Sequence, residues 1–307
     1  MSNAIDISVV IAAWNAEDFI STAINSALSQ IGVSVEVIVV DDASTDSTCD
    51  VVESISDSRV KLFRSEKNGG PGAARNIGFA AAKGKWIAVL DSDDYMNKNR
   101  LQNMLGAAPA KADVLIDNFC ELSSNGILSK PFYSHTELPL GRLNLSFLIE
   151  TNLVFTGVKS TGYVKPLFKN EFVKDNNIKY WPEVRIGEDY YFLASCLACG
   201  AIVEVLEQTG YIYTIRDGSI SSELEISHVE KLLRFDEKFM HKYSLSKSEL
   251  SAQQKRWKNL NCAYHYLVLV GEIKKLQIFS ALLKMFENPS SARLLSLPIK
   301  KRLLFWK

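Results

Sequence analysis

The chain has 307 residues, 47% of them apolar, and its 35 basic and 35 acidic side chains leave no net charge. This balance excludes the strong positive field typical of nucleic-acid-binding domains, so we expect no nucleic-acid partner, and the length predicts one large domain with a smaller appendage. Five cysteines without repeating spacing are typical of reduced thiols in the cytoplasm, and we expect neither a signal peptide nor the run of roughly 20 apolar residues that crosses a membrane.

The first 120 residues alternate apolar runs with helical patterns. Strands are predicted for residues 7–13, 35–41, 59–65, 85–91 and 112–118, and helices near 17–30, 45–56, 71–83 and 97–108. Near-continuous Val and Ile runs separated by helices indicate an α/β fold, a Rossmann-like and mostly parallel sheet with helices on both faces. Sheets of this kind bind ligands at the carboxyl ends of their strands.

The pattern loosens after residue 119. It then predicts a helix near 142–151, strands around 163–168, and an almost wholly helical region from about residue 223. We therefore expect the α/β domain to end near residue 222 and a helical C-terminal region to follow.

Polar and aromatic residues follow the first two strands. Strand one ends in Ala12-Ala13-Trp14-Asn15, and strand two ends in a polar run that begins with Asp41 and Asp42. At that sheet edge the Trp14 indole offers a stacking face for a base, and Asp42 could accept a hydrogen bond from N3 of uracil. Capping of the next helix by Ser44 or Thr45 is the alternative explanation of the second cluster.

A glycine-rich turn, Asn68-Gly-Gly-Pro-Gly-Ala-Ala-Arg75, opens the third helix. Glycines such as Gly72 allow a ligand to approach the backbone closely, while a helix start and the Arg75 guanidinium both favour a diphosphate. A plain tight turn before a helix is the alternative.

Three carboxylates follow the apolar fourth strand in Asp91-Ser92-Asp93-Asp94. Without a partner they would repel one another. A divalent cation with oxygen ligands would remove this repulsion and could bridge to the phosphates of a nucleotide. Helix capping by Asp93 or Asp94 is the alternative.

Two further acids, Glu188 and Asp189, begin an apolar helix. The helix dipole stabilises carboxylates at this position, so capping alone could explain them. The functional alternative is a general base that takes a proton from a sugar hydroxyl during attack on an anomeric carbon.

These segments, in this order, resemble those of glycosyltransferase family 2, the inverting enzymes with the A-type nucleotide-sugar fold. The similar segments are SVVIAAWN, DDASTD, NGGPGAARNIG, DSDD and GEDYYF, and they span roughly residues 7 to 220. The resemblance implies a catalytic domain over residues 1–222, with a donor half at about 1–119 and an acceptor half at about 120–222, followed by the helical region 223–307.

The resemblance also implies roles for individual residues. Asp189 would be the base and Glu188 its orienting neighbour, while Asp94 would be the principal metal ligand and Asp93 a ribose or metal contact. Asp42 would contact uracil. The other residues assigned to the donor site are Ala12, Trp14, Asn15, Glu17, Gly72, Arg75, Asp91, Ser92 and, on the segment after the acid pair, Arg216. Ala12 and Trp14 stand where the family usually has proline and tyrosine, which puts the geometry of base stacking in doubt.

Longer segments, among them KWIAVLDSDD and YIYTIRDGSIS, are similar to bacterial succinoglycan-type exopolysaccharide glucosyltransferases. This similarity implies UDP-glucose as donor, Mn²⁺ or Mg²⁺ as cofactor, and a lipid-linked oligosaccharide as acceptor. It also implies a cytoplasmic protein that acts at the inner face of the plasma membrane.

Two other classes remain as alternatives. An NAD-dependent oxidoreductase would also begin with a βαβ unit, but its glycine fingerprint should follow the first strand, and the glycines here follow the third. A catalytically inactive nucleotide-binding module would retain the fold, but the intact Asp93, Asp94 and Asp189 argue against it.

Three remaining features lie in the C-terminal half of the chain. Lys300-Lys301-Arg302 within an apolar tail suits an anionic membrane surface, with a frayed terminus or a dimer contact as alternatives. The Gln253–Trp257 segment matches the Q-x-x-R-W pattern of processive synthases, but no membrane-spanning pattern follows it, so we predict a surface helix with Trp257 buried. Cys196 and Cys199 are predicted to lie in a helix core, since zinc would need two further ligands.

Overall fold

The computed structural model describes residues 4–215 and 224–296. Its strands are β1 Ile7–Ala13, β2 Val35–Asp41, β3 Val60–Arg64, β4 Trp86–Asp91, β5 Tyr95–Met96, β6 Val114–Leu122, β7 Gly141–Leu143, β8 Leu167–Lys169 and β9 Val203–Thr214. Its helices are α1 Ile20–Leu28, α2 Thr48–Glu53, α3 Pro71–Ala81, α4 Arg100–Ala107, α5 Leu145–Thr151, α6 Asn170–Asp175, α7 Glu188–Ala198, α8 Ile226–Lys242, α9 Lys247–Lys274, α10 Ile278–Glu287 and α11 Pro289–Ala292.

The strands form one mixed sheet in the order β3-β2-β1-β4-β8-β6-β9-β5, with β7 paired to β9. Strands β1 to β4 are parallel to one another, as are β6 and β9, while β8 runs antiparallel between β4 and β6. The predicted α/β fold with a mostly parallel sheet is confirmed. Crossover helices link the parallel strands, as the alternating apolar runs require.

Burial explains why the first strands could be recognised. Every residue of β2 is buried, and so is nearly all of β1, because β-branched side chains fill both faces of a covered parallel sheet. Helix α1 buries Ile20, Ala23, Ile24 and Ala27, which share one face at helical spacing.

The register of the sheet brings the predicted motifs to one edge. Strand β1 lies between β2 and β4, with Ala13 opposite Asp41 and Ala12 opposite Asp91. Because the carboxyl ends of parallel strands meet, the loops after β1, β2 and β4 share this edge.

The strands predicted around residues 163–168 are mostly absent. A 3₁₀ turn covers Thr161–Tyr163, and only Leu167–Lys169 pairs as a strand. Pro166 lacks the backbone N–H that a ladder needs, so pairing begins directly after it.

Contacts divide the chain into two compact units, one of residues 1–145 and 161–219 and the other of residues 146–160 and 220–307. In the second unit the backbone of Val154 exchanges two hydrogen bonds with the Asn259 side chain. Residues 146–160, which the sequence places in the acceptor half, therefore join the helical region through these contacts. The expected helical character from residue 223 is observed in α8 to α11.

The Q-x-x-R-W segment lies on α9, and Trp257 is 40% exposed, so the prediction that it is buried was wrong. Gln253 and Arg256 are buried instead, and Arg256 pairs with the buried Asp236 of α8 at 3.1 Å. Trp257 follows Arg256 by one residue, a rotation of about 100° around the helix, which turns it away from α8.

Across residues 4–215 and 224–296, no helix combines the length and apolar character that a membrane crossing demands.

Candidate active site

The loops after β1 and β2 are joined by hydrogen bonds. Asn15 Oδ1 accepts from the Thr45 N–H at 2.8 Å, and Ser44 Oγ accepts from the Asn15 N–H at 2.9 Å. Glu17 accepts from the Ser47 N–H at 2.9 Å. Asn15 and Glu17 therefore shape the rim of this edge in the structure, and the Trp14 side chain, 50% exposed, stands free on that rim for stacking.

Asp42 is buried and organises the glycine-rich turn. Its Oδ1 accepts from the Gly69 N–H at 2.9 Å, and its Oδ2 accepts from the Gly70 N–H at 2.7 Å. Gly70 has φ +86°, a conformation that suits glycine. Each carboxylate oxygen has a second lone pair, so the predicted uracil contact of Asp42 remains compatible with this arrangement.

Gly72 allows α3 to approach the segment before α7. A Cβ atom on Gly72 would lie 3.2 Å from Cβ of Tyr180, closer than most side chains tolerate. The close approach made possible by this glycine is therefore to Tyr180, in addition to any ligand.

Arg75 of α3 is buried and binds three carboxylates. Its Nη1 lies 2.8 Å from Glu188 Oε1 and 3.0 Å from Asp189 Oδ1, and its Nη2 lies 2.7 Å from Asp91 Oδ1. The sequence assigned Arg75 to a diphosphate. In the structure both terminal nitrogens are paired with carboxylates and the side chain has almost no exposed surface, so a diphosphate contact of Arg75 stays a prediction.

Lys165 is the second cation of this cluster, which we call the carboxylate cluster: Asp91, Glu188 and Asp189 with Arg75 and Lys165. The buried Lys165 ammonium lies 2.7 Å from both Asp91 Oδ2 and Asp189 Oδ2. Attraction to both acids outweighs burial and raises the pKa of Lys165, so the ammonium stays charged.

The acid pair opens α7 directly after Gly187, which has φ +80°. This sharp entry turns Glu188 and Asp189 toward Arg75. Asp189 Oδ1 also accepts from the Tyr180 hydroxyl at 3.2 Å, while its Oδ2, among the residues that the structure describes, binds only Lys165 and keeps a lone pair. Glu188 accepts through Oε1 alone, so within the described residues its Oε2 stays open.

The acids of the cluster differ in proton affinity. Burial opposes ionisation of Asp91, but Lys165 and Arg75 outweigh it and hold the pKa of Asp91 well below its usual range. Burial and the neighbouring charge of Asp189 raise the pKa of Glu188, although Arg75 and Lys165 act against this shift. Neighbouring carboxyl groups with opposed shifts are typical of acid-base sites.

Asp94 is buried beside the cluster, after β4. Its Oδ2 accepts from the Tyr211 hydroxyl at 2.6 Å, and its Oδ1 accepts from the Thr214 N–H at 2.8 Å. The Tyr211 oxygen in turn accepts from the Asp91 N–H at 3.2 Å. Burial, then the charges of Asp91 and Asp93, raise the pKa of Asp94 well above its usual value.

A metal ion at this edge would draw few ligands from the protein. Among residues 4–215 and 224–296, no three His, Cys, Asp or Glu side chains converge as a complete site. Mg²⁺ commonly takes one or two carboxylates and completes its shell with substrate phosphates and water. Asp94, with a lone pair left on each oxygen, and the half-buried Asp93 fit a site of that kind.

The structure thus joins Arg75, Asp91, Glu188 and Asp189 in one cluster, with Asp94 next to Asp91. Trp14, Asn15 and Glu17 occupy a separate rim, Ala12 and Ser92 are half-buried at the strand ends, and Arg216 lies outside the described residues. Sequence reasoning missed Lys165, Tyr180 and Tyr211. Lys165 is the one charged residue in the segment Val164–Phe168. Since a lysine is rarely buried without a partner, this position could have indicated a buried ion pair.

The chain is similar to a known protein family and to individual known proteins. The sequence profile described as "Glycosyl transferase family 2" matches residues 8–171. The chain is 43% identical over 300 residues to "Succinoglycan biosynthesis protein ExoO" of Rhizobium meliloti (strain 1021), covering 97% of this chain and 86% of that one. It is 34% identical over 155 residues to "UDP-Glc:alpha-D-GlcNAc-diphosphoundecaprenol beta-1,3-glucosyltransferase WfaP" of Escherichia coli, covering 50% of this chain and 51% of that one.

The fold is shared with a solved structure. The crystal structure of S. aureus TarS 1-349 in complex with UDP-GlcNAc superposes with a TM-score of 0.64 at 23% identity, covering 95% of this chain and 80% of that one. The profile match, the identity to ExoO and the shared fold agree, and the chain belongs to glycosyl transferase family 2 and is a glycosyltransferase.

Proposed function

We propose that this glycosyltransferase moves glucose from UDP-glucose to a saccharide acceptor with inversion of configuration, during synthesis of an exopolysaccharide or other surface polysaccharide. The acceptor we propose is a lipid-linked oligosaccharide. The similarity to ExoO supports the polysaccharide, and the name of WfaP, which includes a UDP-glucose donor and a diphosphoundecaprenol acceptor, supports the donor and the lipid.

The observation that carries the proposal is the carboxylate cluster. Asp189 is held by Arg75 and Lys165 with a lone pair of Oδ2 still available. In the proposed step this oxygen takes the proton of an acceptor hydroxyl as the hydroxyl oxygen bonds to the anomeric carbon. The bond from that carbon to the UDP oxygen breaks on the opposite side, so the configuration inverts.

The charge of the site supports a cation-dependent donor. The carboxylate cluster and its neighbours Asp93 and Asp94 contain five acids and two cations, Arg75 and Lys165, and both cations are already paired. A diphosphate would be repelled without a further positive charge. Mn²⁺ or Mg²⁺ held by Asp93 and Asp94 would supply that charge and stabilise the departing UDP. Arg216 is proposed as a second diphosphate contact.

The oxidoreductase alternative is disfavoured by the position of the glycine turn. This turn precedes α3 and follows β3, whereas the loop after β1 contains Trp14 and Asn15. A dinucleotide fingerprint would occupy the loop after β1.

A thermal-shift screen tests the proposed donor. The full-length protein is heated with UDP-glucose, UDP-GlcNAc, GDP-mannose or NAD, each with Mn²⁺, with Mg²⁺ or with EDTA. We expect the largest stabilisation with UDP-glucose and a divalent cation. Stabilisation by NAD alone would replace the proposal with an oxidoreductase. Equal thermal shifts with EDTA and with a divalent cation would exclude a metal from donor binding.

The catalytic outcome is tested with a lipid-linked saccharide and UDP-glucose labelled in the sugar. We expect a β-linked product from the α-linked donor. A product with retained configuration would exclude the single displacement, and UDP binding without any transfer to a panel of saccharide acceptors would favour the inactive binding module.

The cytoplasmic location and contact with the membrane face belong to the same proposal. The basic apolar tail predicted to make that contact, residues 297–307, lies outside the described residues. Cosedimentation of a 1–296 truncation with liposomes tests it, and unchanged binding would remove the tail from the proposal.

A further inference from the structure

Helix α10 in the second unit presents an apolar face to solvent. Phe279 is 85% exposed and Phe286 is 81% exposed, and Ile278, Leu282 and Leu283 of the same helix are also exposed. At 100° per residue these five side chains share one arc of about 140°. The buried Ala281 lies on the opposite side of the helix. The apolar face of this amphipathic helix is therefore its outer face.

Basic residues precede and follow in sequence the exposed apolar residues of this helix, which we call the α10 face: Ile278, Phe279, Leu282, Leu283 and Phe286. Lys274 and Lys275 are exposed immediately before it. On the helix itself Lys284 is paired with Glu287 at 3.2 Å. From Ile273 to Lys307 the sequence has eight basic residues and one acid, Glu287.

We propose that the α10 face inserts into the interface of an anionic lipid membrane, with Phe279 and Phe286 as apolar anchors and Lys274 and Lys275 at the headgroups. Exposed aromatic side chains bounded by lysines match both the apolar and the anionic layers of such a surface. This surface includes no residue of the carboxylate cluster, so it does not depend on the proposed reaction.

The charge of the α10 face favours an anionic membrane over two other partners, the C-terminal tail and a second copy of the chain. The chain's own residues 297–307 contain four basic residues and no acid, so Lys274 and Lys275 would repel them. A second copy docked on this face would bring its own Lys274, Lys275 and Lys284 with one acid, Glu287, so the two faces would carry like charge. An anionic bilayer instead attracts both the lysines and the tail.

Cosedimentation of the full-length protein with vesicles tests this inference. One set of vesicles contains phosphatidylcholine alone, and the other contains about 30 mol% phosphatidylglycerol, enough to give a negative surface potential. We expect binding to the anionic vesicles that weakens with salt. The variant Phe279→Ser/Phe286→Ser should partition at least about tenfold less, because its apolar anchors are lost.

Matched variants separate the apolar from the charged contribution. Ile31→Ser removes one exposed apolar side chain from the first unit and should leave partitioning unchanged. Lys274→Gln/Lys275→Gln should weaken binding to anionic vesicles severalfold, whereas Lys247→Gln/Lys258→Gln, on the same helix α9, should weaken it less. Thermal melting and UDP binding of every variant establish that the chain is folded, independently of transfer activity.

Three results would overturn the inference. The first is equal vesicle binding by the phenylalanine double variant and the wild type. The second is a wild-type dimer by light scattering that the same variant converts to a monomer, with no vesicle binding by either, which would make the face a contact between copies. The third is an increase in hydrophobic-dye binding after deletion of residues 297–307, again without vesicle binding, which would make the tail its cover.

Discussion

Lys165 donates to Asp189 Oδ2 at 2.7 Å and makes a contact of the same length with Asp91 Oδ2. The ammonium therefore links the acid that opens α7 to the acid that ends β4. Because Arg75 binds the Oδ1 atoms of the same two residues, Asp189 is fixed in position by two cations. Lys165 thus acts as a positioning residue for the proposed base.

Lys165→Met should lower kcat by about 100-fold with little change in UDP affinity, because Asp189 loses its fixed position while the loops at the donor rim are untouched. Steady-state kinetics and UDP calorimetry measure the two quantities. The matched control is Lys169→Met, at the C-terminal end of β8, which should change kcat little. A parallel loss of UDP affinity and kcat would indicate a structural role instead.

Asp189→Asn should reduce transfer by about 10²- to 10⁴-fold and leave UDP binding near normal, since the amide cannot accept the acceptor proton. Glu188→Gln should have the smaller effect, because the Glu188 carboxylate pairs only with Arg75 within the described part of the chain. Single-turnover rates with bound UDP-glucose measure both. If Glu188→Gln proves the more severe, the base is Glu188, whose Oε2 is open and whose pKa is raised by burial and Asp189.

Asp94→Asn should weaken metal-dependent UDP binding by about 10- to 100-fold, the loss typical when a group that orients or binds a metal is altered. The substitution preserves the shape of the side chain and one acceptor for Tyr211 or Thr214. Calorimetry with Mn²⁺ and with EDTA measures the difference. Asp57→Asn, in a surface turn, is the control. Equal UDP affinity in the variant and the wild type with Mn²⁺ would refute the predicted metal role of Asp94.

Arg100→Met should destabilise the protein by about 3–5 kcal/mol, because it leaves the Asp117 carboxylate buried without its cation. Arg100 binds Asp117 through Nε and Nη2 at 2.9 and 2.7 Å and also donates to the Lys165 carbonyl at 2.6 Å. Urea unfolding of the wild type, of Arg100→Met, of Asp117→Leu and of Arg100→Met/Asp117→Leu gives a double-mutant cycle.

In this cycle the double variant should be more stable than the sum of the single effects predicts, since no buried charge remains. Strict additivity would show that the two side chains do not interact energetically.

Glu36→Gln should lower stability by about 1–3 kcal/mol near neutral pH, because three donors lose a charged acceptor. The buried Glu36 accepts from Ser8 Oγ at 2.7 Å and from the Lys83 N–H at 2.8 Å, and it pairs with Lys61. Burial opposes ionisation, but these donors outweigh it and lower the pKa of Glu36 in the folded protein.

The sign of the pH dependence follows from that shift. The stabilisation is fully present above the unfolded pKa of about 4.3 and is lost as the pH falls through the lower folded pKa. Chemical unfolding at several pH values should therefore show the wild type and Glu36→Gln converging in acid. A constant difference down to the lowest pH that permits folding would contradict this assignment.

Local patterns account for what could be read from the chain. Val and Ile runs predicted β1, β2 and β4, because side chains buried on both faces of a sheet must be apolar along the whole strand. The position of Asp42, Asp91 and the acid pair Glu188-Asp189 near the ends of elements predicted a polar site at the carboxyl edge. Pro166 limited β8 to three residues, a local signal that the strand prediction overlooked.

The sequence by itself therefore determined the family, the α/β fold and the acids of the candidate site, because these depend on short-range spacing. Only the tertiary structure decided the partners of those acids. Arg75 meets Glu188 113 residues away, and Tyr211 meets Asp94 across 117 residues. Burial excludes water from these side chains, so each charge must find a partner in the fold, and no local pattern specifies which one it will be.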